Sequence, residues 1–267
     1  MNKIYYFTGT GNSYHVAKKM AQELEMELIN IPEIIEDEML EFEGDTFGII
    51  FPVYAMGIPQ MVGKFLTKLK IKGNPYIFAI ATCGGSGYGI PFSLIDSVLK
   101  DKREKGEQSL KLDYSSYLQV PDNYLKLFKM KSEKDAIVMV DLADDRLSSK
   151  IQEIREKKRN SYIKFLINPI FKMIYMLWLG NIKRADRKFR VEKSCISCNL
   201  CRDICPSRNI EMREGKPFWN GKCQDCMGCI HICPVSAIQY GKKSLKSGRY
   251  LNPYVTREEL KIKRNKK

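Results

Sequence analysis

Histidine is scarce in this sequence: its 267 residues include only His15 and His231. Neither forms a recognisable sequence pattern with a carboxylate or serine partner. This scarcity argues against hydrolysis and against acid–base catalysis that depends on histidine.

Uninterrupted apolar runs are also missing. The most apolar stretch, residues 161–180, is broken by two lysines, an asparagine and Pro169, so it is too interrupted to span a bilayer. Basic residues flank the stretch on both sides. We interpret it as a connector packed between two domains. The less favoured alternative is a peripheral membrane contact, or a docking surface for a partner, through residues 161–190.

No secretion signal precedes the first strand-like run, which begins at Ile4 directly after Met1-Asn2-Lys3. Eight of the nine cysteines are concentrated between Cys195 and Cys233, and this use of thiols fits a reducing compartment. We therefore expect a cytoplasmic protein.

These eight cysteines form an internal repeat. Each copy has the spacing Cys-x2-Cys-x2-Cys-x3-Cys-Pro, and the second copy follows the first at an offset of 28 residues. The spacing predicts two [4Fe–4S] clusters, each held by four thiolates. A zinc site has no use for a third cysteine and a Cys-Pro pair in each copy, and disulfides need an oxidising compartment. The repeated positions are Cys195, Cys198, Cys201 and Cys205, then Cys223, Cys226, Cys229 and Cys233.

The formal net charge of +14 is unevenly placed along the chain. Residues 150–193 carry a net charge of +9 and residues 241–267 carry +8, so the basic excess flanks the cysteine repeat. No recognised nucleic-acid-binding motif accompanies the charge, and we expect no nucleic-acid partner. The C-terminal charge run is either simply solvated or attracts an acidic partner.

Residues 1–160 alternate short apolar runs with amphipathic stretches. The runs are continuously apolar, which indicates strands that helices cover on both faces. The pattern predicts a doubly wound parallel α/β sheet, with its ligand site outside the carboxyl ends of the strands. Strands are expected at Ile4–Phe7, Glu27–Ile31, Phe47–Phe51 and Tyr76–Ala81, with a fifth within Leu110–Val120.

Three loops after predicted strands are candidates for this ligand site. The first opens a helix, where backbone N–H groups and hydroxyls favour a phosphate. It lacks the lysine of a nucleoside-triphosphate loop and the third glycine of a dinucleotide fingerprint. The other two loops are rich in glycine, which lets the backbone approach a flat ligand. The candidate residues are Thr8, Gly9, Thr10, Gly11, Asn12 and Ser13 in the first loop, Pro52, Val53, Tyr54, Ala55, Met56 and Gly57 in the second, and Thr82, Cys83, Gly84, Gly85 and Tyr88 in the third.

The stretches FTGTGNS (7–13) and FPVYAMGIP (51–59), followed by the doubled cysteine run, resemble the flavodoxin–ferredoxin fusion proteins of anaerobic bacteria and archaea. The resemblance implies a flavodoxin-like α/β domain that binds FMN, followed by a small α+β ferredoxin domain with two [4Fe–4S] clusters. It implies that the first loop holds the FMN phosphate and that the other two hold the isoalloxazine, with Tyr54 or Tyr88 stacked on the ring. Crossed ligation is also implied, with one cluster on Cys195, Cys198, Cys201 and Cys233 and the other on Cys223, Cys226, Cys229 and Cys205.

The domains expected on this basis are a flavodoxin-like FMN domain (1–160), an apolar and basic connector (161–187), a ferredoxin domain (188–241) and a basic C-terminal tail (242–267). The expected function is electron transfer between the two clusters and FMN, with exchange to redox partner proteins.

Two other functions stay open at this stage. One is an FMN-dependent reductase of a small molecule, for which only tyrosines and Cys83 offer a proton, so an enzymatic role is undecided. We favour Cys83 as merely a small residue in a crowded turn. The other is a non-catalytic binding or sensing module that carries clusters, and it predicts that flavin is absent.

Overall fold

The first 160 residues alternate strands and helices around one open sheet. The computed structural model describes residues 1–85, 87, 89–102, 110–162 and 168–263, without the side chains of Asn168, Lys183 and Lys243. The elements in chain order are β1 (Lys3–Tyr6), α1 (Asn12–Glu23), β2 (Glu27–Asn30), α2 (Ile31–Ile34), β3 (Glu41–Glu43), β4 (Thr46–Pro52), α3 (Gln60–Lys68), β5 (Lys70–Lys72), β6 (Tyr76–Cys83), α4 (Pro91–Lys100), β7 (Tyr114–Gln119) and α5 (Glu133–Arg155).

The central sheet is parallel throughout and has five strands in the order β2-β1-β4-β6-β7. Counting these five strands along the chain, the order is 2-1-3-4-5, which is the flavodoxin-like order. Each strand lies where the apolar runs predict one. The separate parallel pair of β3 and β5 was not predicted, because each strand has only three residues.

Helices cover both faces of the sheet, as continuously apolar strands require. Tyr5 and Phe7 of the first strand pack in the core beneath α3 and α4, whereas Ile4 and Tyr6 pack beneath α1 and α5. Successive side chains of a strand point to opposite faces, so one short strand contributes to both cores. The doubly wound architecture is therefore as predicted.

The connector contains one helix, α6 (Asn168–Asn181), followed by a 3-10 turn at Ile182–Arg184. Phe171 and Tyr175 are buried in the core beneath α3 and α4. The Tyr175 hydroxyl donates to the Ile58 carbonyl at 2.9 Å, and a Cβ on Gly57 would meet the Tyr175 ring at 2.5 Å. One face of the connector is thus packed, as expected, while its opposite face is exposed. Among the described residues, no helix is long and apolar enough to cross a membrane.

The ferredoxin-like segment is built from short elements. β8 pairs with β11 antiparallel, and β9 and β10 form a hairpin. The apolar core of this segment also contains Leu125 from the first domain and Val255 and Leu260 from the tail. The two domains therefore share apolar packing. The elements are β8 (Phe189–Val191), α7 (Leu200–Asp203), β9 (Ile210–Arg213), β10 (Lys216–Trp219), α8 (Gly228–Ile232) and β11 (Ile238–Tyr240), and a second 3-10 turn follows at Lys243–Lys246.

The 28-residue repeat is present in the backbone as well as in the cysteines. Three residues of the first copy have left-handed φ angles, and their counterparts 28 positions later have φ angles that agree within about 5°. Both copies therefore bend the chain in the same way around their cysteines. The pairs are Ser197 (58°) with Asp225 (56°), Asn199 (65°) with Met227 (60°), and Arg208 (49°) with Ser236 (50°).

The tail returns to the first domain. The pattern Thr256-Arg257-Glu258-Glu259 predicts a short helix through a capping box. The reciprocal contacts do form, because Thr256 N donates to Glu259 Oε2 at 2.9 Å and Glu259 N donates to Thr256 Oγ1 at 3.3 Å. The segment is nevertheless a series of turns, so the helix prediction was wrong. Glu259 also accepts from Lys18 of α1 at 2.7 Å, which ties the tail to the first helix.

Candidate cofactor sites

A cavity of about 440 Å³ lies at the carboxyl ends of β1, β4, β6 and β7. This is where the strand order reverses, and it is the position at which doubly wound sheets bind ligands. All three predicted loops meet there. Of the predicted residues, Gly11 and Gly57 are outside the lining, and Tyr88 lies outside the described residues. The lining residues from these loops are Thr8, Gly9, Thr10, Asn12, Ser13, Pro52, Val53, Tyr54, Ala55, Met56, Thr82, Cys83, Gly84, Gly85 and Gly87.

The first loop ends in a helix N-terminus that points hydroxyls into the cavity. Gly11 precedes α1 with φ +100°, a left-handed conformation that favours glycine. Thr10 and Ser13 are almost fully buried, and the Ser13 and Thr82 hydroxyls lie 2.8 Å apart. The first N–H groups of a helix have no intrahelical partner. Hydroxyls and free N–H groups at one helix end are a suitable donor set for a phosphate.

The tail holds this first loop in place. The Asn12 side chain donates to the Pro121 carbonyl at 3.0 Å and accepts from Asn252 Nδ2 at 3.0 Å and from the Tyr250 hydroxyl. Asn252 N also donates to the Thr10 carbonyl at 2.9 Å. Asn12 was predicted as a cofactor contact, but its amide is occupied by this structural network. Tyr250 and Asn252 of the tail therefore help to hold the first loop in its conformation.

The chain after β7 forms a fourth wall that the sequence analysis missed. Asn123 Nδ2 donates to Thr10 Oγ1 at 2.9 Å. His231 Nε2 donates to the Asn123 carbonyl at 2.7 Å, and its Nδ1 accepts from Tyr250 N at 3.0 Å. Burial, together with the charge of Arg249, lowers the pKa of His231 to about 4, so this histidine is a neutral bridge. The signal in the sequence that could have identified this wall is its position directly after the last strand of the sheet.

Tyr54, a predicted partner for the flavin ring, lies deeper than expected. Its ring contacts Phe7 and Trp178 edge-on, with centroids 6.2 and 6.0 Å away, and it is 9% exposed. Among the described residues, its buried hydroxyl has no hydrogen-bond partner. Burial, followed by nearby Cys226, raises the pKa of Tyr54 well above its usual range, so the hydroxyl keeps its proton. A bound ligand with an acceptor would satisfy it.

The cysteine repeat packs against Gly9, one of the residues that line the same cavity. A Cβ on Gly9 would lie 2.6 Å from the carbonyl oxygen of Cys226, and one on Gly228 would lie 2.8 Å from the carbonyl oxygen of Gly9. Such close backbone contact is possible only because both residues are glycines. The first loop of the α/β domain therefore rests directly on the second cysteine run.

Asp225, between two cysteines of that run, lines the cavity and is 4% exposed. Its carboxylate accepts from the Tyr124 hydroxyl at 3.0 Å and from Trp178 Nε1 at 3.1 Å, and it pairs with Lys126. A buried carboxylate needs such partners to offset its desolvation. Asp225 thereby joins the cysteine run, α6 and the wall after β7 at one point.

The eight cysteines fall into two groups in space, and we call them set I and set II. All are free thiols. The members of set I, which includes Cys233 from the second run, line one small cavity. The charges of Cys226, Cys223 and Cys205 act on Cys229, followed by that of Cys201. Set I is defined as Cys195, Cys198, Cys201 and Cys233, and set II as the other four cysteines of the repeat, Cys205, Cys223, Cys226 and Cys229.

The thiols range from buried (Cys201, Cys226) to exposed (Cys198), and several of them receive backbone donors. Asn209 N donates to Cys205 Sγ at 3.3 Å, and Ala237 N donates to Cys233 Sγ at 3.2 Å, again 28 positions apart. Burial, followed by the neighbouring thiolates, raises the pKa of Cys201 to about 12. A buried group of thiolates is therefore costly unless a positively charged centre compensates it. Iron–sulfur clusters supply such a centre and accept N–H donors at their sulfurs.

Two smaller findings bear on side chains that the sequence analysis singled out. Cys83 lines the cavity and its thiol donates to the Gly85 carbonyl at 3.3 Å, while burial raises its pKa to about 11. His15 has a carboxylate partner after all, because Asp144 of α5 lies 3.0 Å from its Nε2. The pair also contacts Lys19 and is not part of the cavity lining.

Comparison with known proteins identifies the cysteine segment. A family model described as "4Fe-4S dicluster domain" matches residues 194–238. The chain is 45% identical over 63 residues to a ferredoxin of Pyrobaculum islandicum and 30% identical over 73 residues to NADH-quinone oxidoreductase subunit I of Pelobacter propionicus. Each alignment covers 22% of this chain, and the chain spans only 58% and 37% of the length of these relatives.

The region before the dicluster domain is similar to solved flavodoxin structures. An archaeal flavodoxin matches with a TM-score of 0.30 and 12% sequence identity, covering 57% of this chain and 99% of that one. The flavodoxin-like fold itself is established by the strand order and by the helices on both faces. The chain therefore joins a flavodoxin-like domain to a 4Fe-4S dicluster domain.

Proposed function

We propose that this protein is an iron–sulfur flavoprotein that transfers electrons between two [4Fe–4S] clusters and one FMN. The observation that carries the proposal is the contact between Gly9 and Cys226, with the Gly9 Cβ position 2.6 Å from the Cys226 carbonyl oxygen. Gly9 lines the cavity, so this contact brings the lining of the cavity directly against the backbone of one member of set II. Electron transfer benefits from such direct packing.

The cavity fits FMN in its donor chemistry as well as its size. The N-terminus of α1, with the hydroxyls of Thr10 and Ser13, would hold the phosphate. The glycine-rich loops after β4 and β6 would hold the ring, and the unpartnered Tyr54 hydroxyl would donate to one of its acceptors. Among the described residues that line the cavity there is no lysine or arginine, so neutral donors and the helix dipole would carry the phosphate charge.

The cysteine sets fit two clusters. Each set offers four thiols, with three from one run and one from the other, so the two runs hold each other through the metal. When bound, the clusters exchange single electrons and FMN stores one or two, so the sites together convert between one-electron and two-electron chemistry.

The two sets differ in their access to solvent. Cys198 of set I is exposed, whereas Cys226 of set II is buried under the first loop. Set I would therefore exchange electrons with a redox partner protein at the surface. Set II would exchange them with the flavin, and Asp225 holds the wall between the two sites.

The cofactor content of the full chain, purified without oxygen, tests this proposal. We expect about eight irons, eight sulfides and one FMN per chain. Ser13→Ala should lower FMN affinity about tenfold or more, since a hydrogen bond to a charged phosphate is lost, and leave the iron content unchanged. Ser148→Ala, on the exposed side of α5, is the matched control. Eight irons without flavin, even after addition of FMN, would contradict the flavin half of the proposal.

A second function, reduction of a small molecule at the flavin, is supported by Asp122. This residue lines the cavity, and burial raises the pKa of its carboxyl, so it holds a proton to higher pH than an ordinary aspartate. It is a better proton donor than the tyrosines and Cys83 considered from the sequence. If this function operates, Asp122→Asn will slow the turnover of small acceptors without changing reduction of the flavin by the clusters. If no small acceptor is turned over, this second function is excluded and electron transfer is the function that stands.

A further inference from the structure

The outer face of α6 is an exposed stripe of aliphatic side chains. Ile170, Met173 and Leu177 are 53%, 57% and 61% exposed. Residues three and four apart share one face of a helix, so these three form one line. Phe171 and Tyr175, on the opposite face, are buried in the core. Apart from Lys172, the helix from Pro169 to Gly180 is apolar all round, yet only one side of it has a partner within the described part of the chain.

A second segment adds to this stripe at the opening of the flavin cavity. Leu127 and Phe128 are 74% and 51% exposed, and both line the cavity together with Ile174 of α6. The stripe and these two side chains therefore border one opening. We call Leu127, Phe128, Ile170, Met173, Ile174 and Leu177 the apolar rim.

The chain segment that carries most of the apolar rim is strongly basic. Residues 157–191 contain ten lysines and arginines and one acidic residue, Asp186. Asp186 is 6% exposed and accepts from Asn209 Nδ2 at 2.8 Å, so it presents no charge outward. Lys172, Arg184 and Arg187 are exposed beside α6, and two exposed lysines follow Phe128 at positions 129 and 131.

We propose that the apolar rim docks on an anionic lipid surface, with α6 lying along the membrane interface and the flavin cavity opening toward it. Aliphatic side chains on one helical face, with basic residues around them, match the acyl boundary and the anionic headgroups of a membrane. An acidic protein would need an apolar groove of its own to cover the line of Met, Ile and Leu side chains, whereas an anionic membrane supplies both surfaces. The proposal concerns the protein surface and stands whether or not the flavin site transfers electrons.

Flotation of the full-length, cluster-containing protein with lipid vesicles tests the proposal. We expect it to float with phosphatidylcholine vesicles that contain phosphatidylserine, and much less with pure phosphatidylcholine. Leu177→Glu should lower the partition coefficient about tenfold or more, because it places a charge where an apolar side chain enters the interface. Leu142→Glu, at a position on α5 that is also about half exposed, should leave it unchanged. Iron content and circular dichroism of both variants should match the wild type.

Two outcomes would overturn the proposal. If the wild type does not float with phosphatidylserine vesicles at low salt, the basic surface serves an acidic protein instead. If Leu177→Glu floats as well as Leu142→Glu, binding rests on charge alone and the apolar rim has no part in it.

Discussion

Replacing Gly9 with alanine perturbs the contact between the flavin loop and set II at its tightest point. The new Cβ would lie 2.6 Å from the Cys226 carbonyl oxygen and 3.1 Å from the Tyr54 hydroxyl. Carbon and oxygen atoms do not normally approach closer than about 3.3 Å, so the loop and the cysteine run must separate by roughly 0.7 Å. Neither obstructing group can move away easily, because the Cys226 carbonyl belongs to the backbone and the Tyr54 hydroxyl is buried. Overpacking of this kind costs about 1–3 kcal/mol.

We therefore expect Gly9→Ala to lower the free energy of unfolding by about 1–3 kcal/mol and to weaken FMN binding. Electron exchange between flavin and clusters should also slow, since the packing between them is opened. Denaturant unfolding, flavin titration and flash photoreduction measure these effects. Gly63→Ala, inside α3, is the matched control, because the new Cβ would lie at an ordinary contact distance of 3.5 Å from Ile58 Cδ1. This substitution should raise the free energy of unfolding by about 0.5–1 kcal/mol. A Gly9→Ala protein that is as stable as the wild type, binds FMN as tightly and exchanges electrons as fast would refute the contact.

Four further variants test the rest of the site. Cys233→Ser should remove the set I cluster and Cys205→Ser the set II cluster, and each variant should lose about half of the iron. Only Cys205→Ser should abolish rapid reduction of the flavin by the clusters. If Cys233→Ser abolishes it instead, crossed ligation is contradicted. Tyr54→Phe should leave the flavin-free protein as stable as the wild type or more stable, because it deletes a hydroxyl that has no partner among the described residues. The same variant should bind FMN several-fold more weakly. FMN titration of the wild type and the variant would contradict this if the variant bound as tightly or more tightly. Asn252→Ala should weaken FMN binding several-fold by releasing the first loop, whereas Leu245→Ala at an exposed tail position should not.

The parts of this structure that local pattern determines could be predicted from the sequence. The strands of the sheet are continuous apolar runs, and burial on both faces leaves little choice of structure for them. The cysteine repeat is equally local, because its ligands and its left-handed turns recur every 28 residues. The carboxyl ends of parallel strands meet at one edge, so the three loops were expected together.

The parts that depend on distant contacts could not be predicted. Asp225 lies between two cysteines and gave no sign that Tyr124 and Trp178 would donate to it. The tail reads as a solvated basic segment, yet its Asn252 bonds to the first loop 240 residues away. The connector was expected to be packed, and only the structure separates its buried face from its exposed one.

The central claim is that flavin and set II exchange electrons within one chain, and flash photoreduction of the flavin in anaerobic protein tests it most directly. The account predicts that the reduced flavin signal decays with a rate independent of protein concentration, while cluster absorbance bleaches at the same rate. A decay that rises in proportion to protein concentration, or a flavin that never exchanges with the clusters, would contradict it.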